Sequence, residues 1–130
     1  MSADYPSMTT AEIRSKFLNF FEERGLKLYP SSSLVPDDPS LLLANAGMNQ
    51  FKEYYQGKKT MKEIGAISCQ KCVRTNDIDC IGEDGRHLSF FEMLGDFSFG
   101  GVSKEQACAW AFELITKEFK LPLDRLYFTV

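Results

Sequence analysis

Arg74 stands at the start of a polar stretch, Thr75 to His87, and Arg86 and His87 close it. The flanking segments are strand-like. Ala66 to Arg74 carries Ile67, Cys69 and Val73, and Leu88 to Leu94 carries the adjacent Phe90 and Phe91. The pattern reads as a β-hairpin with a long loop rich in Asp, Asn, Glu and Gly. Loops of that length are uncommon unless functional or mobile. A hairpin brings its two ends together, so the cations gather around the loop. Such a cluster suits a polyphosphate, and Arg offers a planar fork of donors matched to phosphate oxygens. Phe90 and Phe91 point to opposite sides of a strand. One can join the core while the other offers a flat face to a base. Spacing alone also fits a plainer account: Arg74 paired with Asp77 or Asp79 at the surface, a contact of little weight, His87 structural, and both phenylalanines in the core.

Other chemistries are poorly served. His87 is the only histidine, so neither a catalytic triad nor a zinc-hydrolase site can be assembled. No G-x-x-x-x-G-K-S/T phosphate loop occurs, and Gly82-Glu83-Asp84-Gly85 reads as a turn. Cys69-Gln70-Lys71-Cys72 is a lone C-x-x-C without a second ligand pair or a thioredoxin-like setting. On an alternating strand its two thiols face opposite sides, so they are read as ordinary strand cysteines and no metal site is expected.

The elements that position the hairpin follow from periodicity. Residues 1–8 read as a loose leader. Thr9 to Glu12 has the spacing of a capping box, and Ile13, Phe17, Phe20 and Phe21 form one apolar face. A helix is predicted over about residues 10–24, stopped by Gly25. Gly25 to Pro36 reads as extended, Asp37-Asp38-Pro39 as a turn, Leu41 to Ala44 as a short buried strand, and residues 48–56 as holding a helical turn. Gly95 to Gly101 ends the hairpin. Ser103 to Gln106 reads as a second capping box, opening a helix with Ala107, Trp110, Ala111, Leu114 and Ile115 on its core face and running to about Phe119, before Pro122. Arg125 to Val130 reads as a strand. A mostly antiparallel sheet backed by helices, an α+β fold, accommodates this order.

The bulk composition agrees with a folded domain or part of one. The 130 residues are 44% hydrophobic and 25% charged, with eleven Phe, five Tyr and one Trp. A net charge of -3 argues against a small module that holds nucleic acid by bulk charge, but not against a site with a few placed cations. Neither a signal peptide nor a membrane-length apolar run is read, so the four cysteines are expected as reduced thiols in the cytoplasm.

Longer strings are more specific. They are Thr10-Ala11-Glu12-Ile13-Arg14 with Phe17-Leu18-Asn19-Phe20-Phe21, then Ser31-Ser32-Ser33-Leu34-Val35-Pro36, Asp38-Pro39-Ser40-Leu41-Leu42 and Asn45-Ala46-Gly47-Met48-Asn49-Gln50-Phe51-Lys52. Gln70-Lys71-Cys72-Val73-Arg74 and the run from Arg86 to Gly100 complete the set. In this order they resemble the N-terminal part of the catalytic domain of the alanyl-tRNA synthetases, a class II aminoacyl-tRNA synthetase family. The resemblance covers residues 9–130. It implies an antiparallel sheet flanked by helices, with motif 1 running through Pro36, motif 2 spanning about Ala66 to Phe99, and truncation before motif 3.

The resemblance also implies an activity: ATP and Mg²⁺ convert L-alanine to alanyl-adenylate, and the alanyl group passes to tRNA(Ala). By position, Arg74 matches the motif 2 arginine that contacts the α-phosphate and the substrate carboxylate. Arg86 and His87 match the loop residues that hold the outer phosphates. Phe91, or else Phe90, matches the aromatic under adenine, with Met93 near the base edge. Asp77 stands where an acidic residue often follows the arginine, as a possible accessory. Where many members of the family have a longer Gly-Gly-Lys-His insert after the arginine, this chain has the shorter Thr75-Asn76-Asp77-Ile78-Asp79, a form also found among bacterial members, and Gly101-Val102-Ser103 stands where relatives often follow the glycine with Asp-Tyr-Phe. Motif 3, the alanine pocket, the tRNA-recognition parts and the editing region with its zinc site would lie downstream, so the isolated chain is expected to be inactive. Two alternatives remain at this stage: a non-catalytic synthetase-like paralogue, and a ligase that charges a carrier other than tRNA.

Overall fold

A computed structural model describes residues 7–76 and 78–129. Most of the 1–8 leader, along with Asp77 and Val130, therefore lies outside the described residues.

Helix α1, Thr10–Glu22, begins as its capping chemistry predicts. Thr9 Oγ1 accepts from the Glu12 N–H at 3.2 Å, and the Glu12 carboxylate accepts from the Thr9 N–H at 2.7 Å. Both bonds satisfy amides that would otherwise be orphaned at the helix start. Gly25, at a φ of 87°, turns the chain out of the helix. Phe17, Phe20 and Phe21 are buried and join Leu26, Ile67 and Leu114 in the main core.

Three strands form one sheet in the order β1-β2-β3. Strand β1, Lys27–Leu28, lies parallel to β2, Gly65–Val73. Strand β3, Phe90–Ser98, is antiparallel to β2, with Val73 opposite Phe90 and Gly65 opposite Ser98. The sheet is therefore mostly antiparallel, as read from the sequence, and the two-residue β1 makes it mixed. The returning segment after α1 is too short a strand to advertise its direction. The hairpin prediction holds, but β3 extends through Gly95, Asp96, Phe97 and Ser98, which the sequence reading assigns to its exit. Glycine is required at 95, because a methyl group there would fall 2.6 Å from the Phe97 ring.

The sheet has two covered faces. Ile67 and Leu94 pack toward α1 and Trp110, and Phe21 and Trp110 meet edge to face at 6.4 Å. On the other face Phe51, almost fully buried, lies 4.8 Å from Phe97 and 5.4 Å from Tyr29. Phe51 comes from a single helical turn, Asn49–Phe51, that leads into α2, Lys52–Tyr55, within the 48–56 segment where a turn is expected.

Helix α3, Lys104–Glu113, is capped by Ser103, whose hydroxyl accepts from the Gln106 N–H at 3.2 Å. It widens into a π-helical turn, Leu114–Glu118, and ends at Phe119, before Pro122. Its predicted apolar face is only partly covered: Leu114 is buried and Trp110 half-buried, but Ala107 and Ala111 are exposed.

Two predicted strands do not form. Leu41 to Ala44 is an irregular turn in which only Ala44 is buried, while Leu42 is 87% exposed. Ala44 alone engages the fold: its N–H donates to the Leu34 carbonyl and its carbonyl accepts from the Val73 N–H. Residues 126–129 form no strand, no strand among the described residues pairs with them, and Tyr127 is 94% exposed. A strand needs a neighbour to satisfy its backbone groups.

Candidate active site

Alternation along the hairpin decides which side chains meet. In the β2–β3 register Cys72 lies opposite Phe91 and Gln70 opposite Met93. Side chains at alternate positions share a face, so Gln70, Cys72, Phe91, Met93 and Phe97 lie on one side. Phe90, Glu92 and Leu94 lie on the other. Beyond the ladder, the Arg74 N–H donates to the Ser89 carbonyl at 2.9 Å, which continues the pairing by one step.

The structure brings Arg74 and Phe91 together. The guanidinium carbon stands 5.3 Å from the Phe91 ring centroid, within cation–π range. Arg74 Nε donates to the Asn45 carbonyl at 3.1 Å. That bond uses Nε and does not occupy the terminal nitrogens, which form the fork that grips an anion. Met93 is on the same face, and its sulfur accepts from the Gly47 N–H at 3.2 Å. The segment Asn45 to Gly47 thus braces both Arg74 and Met93.

Phe90 points away from Arg74. It pairs with Val73 on the α1 side and is 52% exposed. Of the two phenylalanines, Phe91 and not Phe90 shares the Arg74 face.

Arg86 and His87 are exposed and follow a turn with Gly82 and Gly85 at positive φ. Asp84 organises them. Its Oδ1 accepts from the Arg86 N–H at 2.9 Å and the His87 N–H at 3.1 Å. Its Oδ2 lies 2.6 Å from His87 Nδ1. The Arg86 amide above all, then the His87 amide and ring, hold the Asp84 carboxyl down to about 2. It is therefore ionised at neutral pH and accepts only, so the ring contact requires the proton on Nδ1. Asp77 lies outside the described residues.

On the opposite face Glu92 accepts from Arg14 of α1, through Nε at 3.2 Å and Nη2 at 2.6 Å. This contact lowers the affinity of Glu92 for a proton and raises that of Arg14. Cys69 is on this face, where burial pushes its thiol up, and Cys72 is buried on the other. The two sulfurs of the C-x-x-C are thus separated by the sheet, as read from the sequence.

Three contributors escape sequence reasoning. Gln70 is fully buried: its Oε1 accepts from the Ser32 N–H and from Gln50 Nε2, and its Nε2 donates to the Ser32 and Lys71 carbonyls. Its partners are remote in sequence, so no local signal marks it. Asn45 contributes a backbone carbonyl, which motif reading does not see. Asp84 did leave a trace, because an Asp two and three residues before the amides it caps is Asx-turn spacing. A cavity of about 650 Å³ lies between residues 32–39 and 49–59 and is lined by none of the predicted site residues. The Arg74–Phe91 site is instead part of a sheet face.

Residues 12–130 match the family model for class II (A) tRNA synthetases. The chain belongs to this family. Among curated relatives of this synthetase chain, the chloroplastic/mitochondrial alanine–tRNA ligase of Sorghum bicolor is 55% identical over 118 residues, covering 91% of the chain and 12% of the relative. The alanine–tRNA ligase of Synechocystis sp. is 51% identical over 130 residues, covering 100% of the chain and 15% of the relative. That of Pseudothermotoga lettingae is 52% identical over 123 residues, with 95% and 14% covered. The chain spans about 12–15% of the length of these relatives. None of its helices, among the described residues, is long and apolar enough to cross a membrane.

Proposed function

We propose that residues 9–130 are the motif 1 and motif 2 portion of the aminoacylation domain of an alanine–tRNA ligase, and that they bind ATP for the activation of L-alanine. The observation that carries this reading is the placement of Arg74 beside Phe91 on one sheet face. Adenine lying on Phe91, with Met93 at its edge, leaves the α-phosphate within reach of the Arg74 fork. When the alanine carboxylate attacks the α-phosphorus, negative charge builds on the phosphate oxygens. A preplaced guanidinium stabilises that charge without reorganisation, so the work of the protein here is electrostatic and positional. Arg86 and His87 hold the outer phosphates, which leave as pyrophosphate, and Asp77 is an accessory to the loop.

Mg²⁺ accompanies ATP in this reading. Among the described residues no three His, Cys, Asp or Glu side chains converge to hold a metal. They do not form a protein cage for Mg²⁺.

The choice of alanine as substrate and tRNA(Ala) as acceptor rests on the names of relatives that are 51–55% identical. The four cysteines are free thiols, which fits a reducing compartment, and the cytoplasm is the proposed location. The test is amino-acid-dependent ATP–pyrophosphate exchange by the full-length protein. Exchange with alanine, and far less with serine or glycine, is the expected result. Exchange driven by another amino acid removes alanine as substrate, and no exchange with any removes the activation reading.

A further inference from the structure

Asp84 makes more contacts than its turn requires. Capping the Arg86 and His87 amides through Oδ1 is the ordinary work of an Asx turn. That accounts for one carboxylate oxygen. The other, Oδ2, meets the His87 ring at 2.6 Å. Both side chains are well exposed, at 40% and 44%, where an ion pair adds little to stability. What the contact does fix is direction. With Nδ1–H donated to Oδ2, the carboxylate fixes the ring and Nε2 lies on the side away from Asp84; to donate to a phosphate oxygen Nε2 must carry a proton as well, as in the imidazolium.

We infer that Asp84 is a positioning residue that orients the His87 imidazole toward the terminal phosphates of bound ATP. The inference rests on the phosphate role proposed for His87 and adds the residue through which that role is set. Asp84 does not itself touch the nucleotide, since its carboxylate would repel the phosphates. It acts by restricting a side chain that would otherwise sample several rotamers, and so it lowers the entropy lost when ATP binds.

The test uses steady-state ATP–pyrophosphate exchange in the full-length protein. Asp84→Asn keeps an oxygen for the two backbone amides. That choice forces the amide nitrogen toward the ring, where it cannot accept from Nδ1–H. We expect Asp84→Asn to raise the KM for ATP about three- to tenfold, the loss of one charge-assisted hydrogen bond, with kcat and the KM for alanine nearly unchanged. Added to His87→Ala, the same substitution should cause no further loss, because its effect passes through the ring. Asp84→Ser, whose hydroxyl can still cap the amides but does not reach the ring, should give the same result and replaces Asn if that variant fails to fold. An equal loss from Asp84→Asn in both backgrounds would mean a purely structural turn residue and would overturn the inference. So would an unchanged KM in Asp84→Asn beside a raised KM in His87→Ala, which leaves the site reading standing. An unchanged KM in His87→Ala removes the phosphate role of His87, and the inference with it.

Discussion

Arg14 on α1 and Glu92 on β3 are joined through one carboxylate oxygen that accepts from both Nε and Nη2 of the guanidinium. Glu92 stands on the strand between Phe91 and Met93, whose side chains project from the opposite face. The pair therefore clamps the back of the strand whose front carries the proposed adenine platform. Removing it with Arg14→Ala should change thermal stability only slightly, since both side chains are partly exposed. The KM for ATP should rise more than the KM for alanine. Arg14→Lys should rescue incompletely, because an ammonium cannot reproduce the two-point contact. Equal changes in both KM values would count against the clamp.

Arg74→Ala should reduce alanine-dependent exchange about 10²–10³-fold, the usual loss when a preplaced charge-stabilising donor is removed. Far-UV circular dichroism and the melting temperature should stay close to those of the parent, since among the described residues the side chain engages only the exposed Asn45 carbonyl and the Phe91 ring. Exchange at the parental rate would remove Arg74 from the chemistry.

The two phenylalanines give an internal control. Base–aromatic stacking is worth about 1–3 kcal/mol by alanine substitution, so Phe91→Ala should weaken ATP binding roughly tenfold. Phe90→Ala should leave binding intact, because its ring lies on the α1 face. Isothermal titration with ATP distinguishes them, and a reversed result would mean that the base sits on the other side of the sheet.

Gln70 predicts a stability effect without a chemical one. Gln70→Ala removes the acceptor of the part-buried Ser32 N–H and one of the two acceptors of the Gln50 amide, while the Ser32 carbonyl keeps Ser31 Oγ and Gln50 keeps the Pro30 carbonyl. Denaturant unfolding should report a loss of about 2–4 kcal/mol. A loss below the lower bound would show that these groups find other partners.

The Asp84 clamp has a defined acid limit. Its carboxyl is held at about 2 against an ordinary 3.8, so the clamp contributes fully above 3.8 and is lost as pH falls through about 2. The His87 Nδ1–H resonance should therefore persist in NMR spectra down to about pH 4 and disappear between there and about pH 2. Disappearance already near pH 6 would mean that the ring is not held as described.

Legibility in the sequence tracked how local each cause is. The α1 cap is set by Thr9 and Glu12, three residues apart, and it was readable in full. So was the opposition of Phe90 and Phe91, which follows from strand alternation once the hairpin is recognised. The parallel β1 was not readable, since Lys27 and Leu28 find their direction only by pairing with Ala66 and Ile67. Leu41 to Leu43 misled because an apolar run resembles a strand whether or not a neighbour exists. Gln70 was silent for the same reason: its partners, Ser32 and Gln50, lie far along the chain. Of the site, the identities of Arg74, Arg86, His87, Phe91 and Met93 came from motif resemblance, while the bracing by Asn45, Gly47 and Asp84 needed three-dimensional structure.

The ladder from Gly65↔Ser98 to Val73↔Phe90 has a mechanical consequence. If β3 slipped by one residue against β2, Phe90 and Glu92 would take the places of Phe91 and Met93, and an acidic group would stand where the base is read. The buried side chains along β2 fix that alignment from below, independently of the loop above. Residues can therefore be gained or lost between Thr75 and Leu88 without moving the platform. The loop proposed to grip the outer phosphates is free to vary in length while the proposed seat for the base stays where the strands put it.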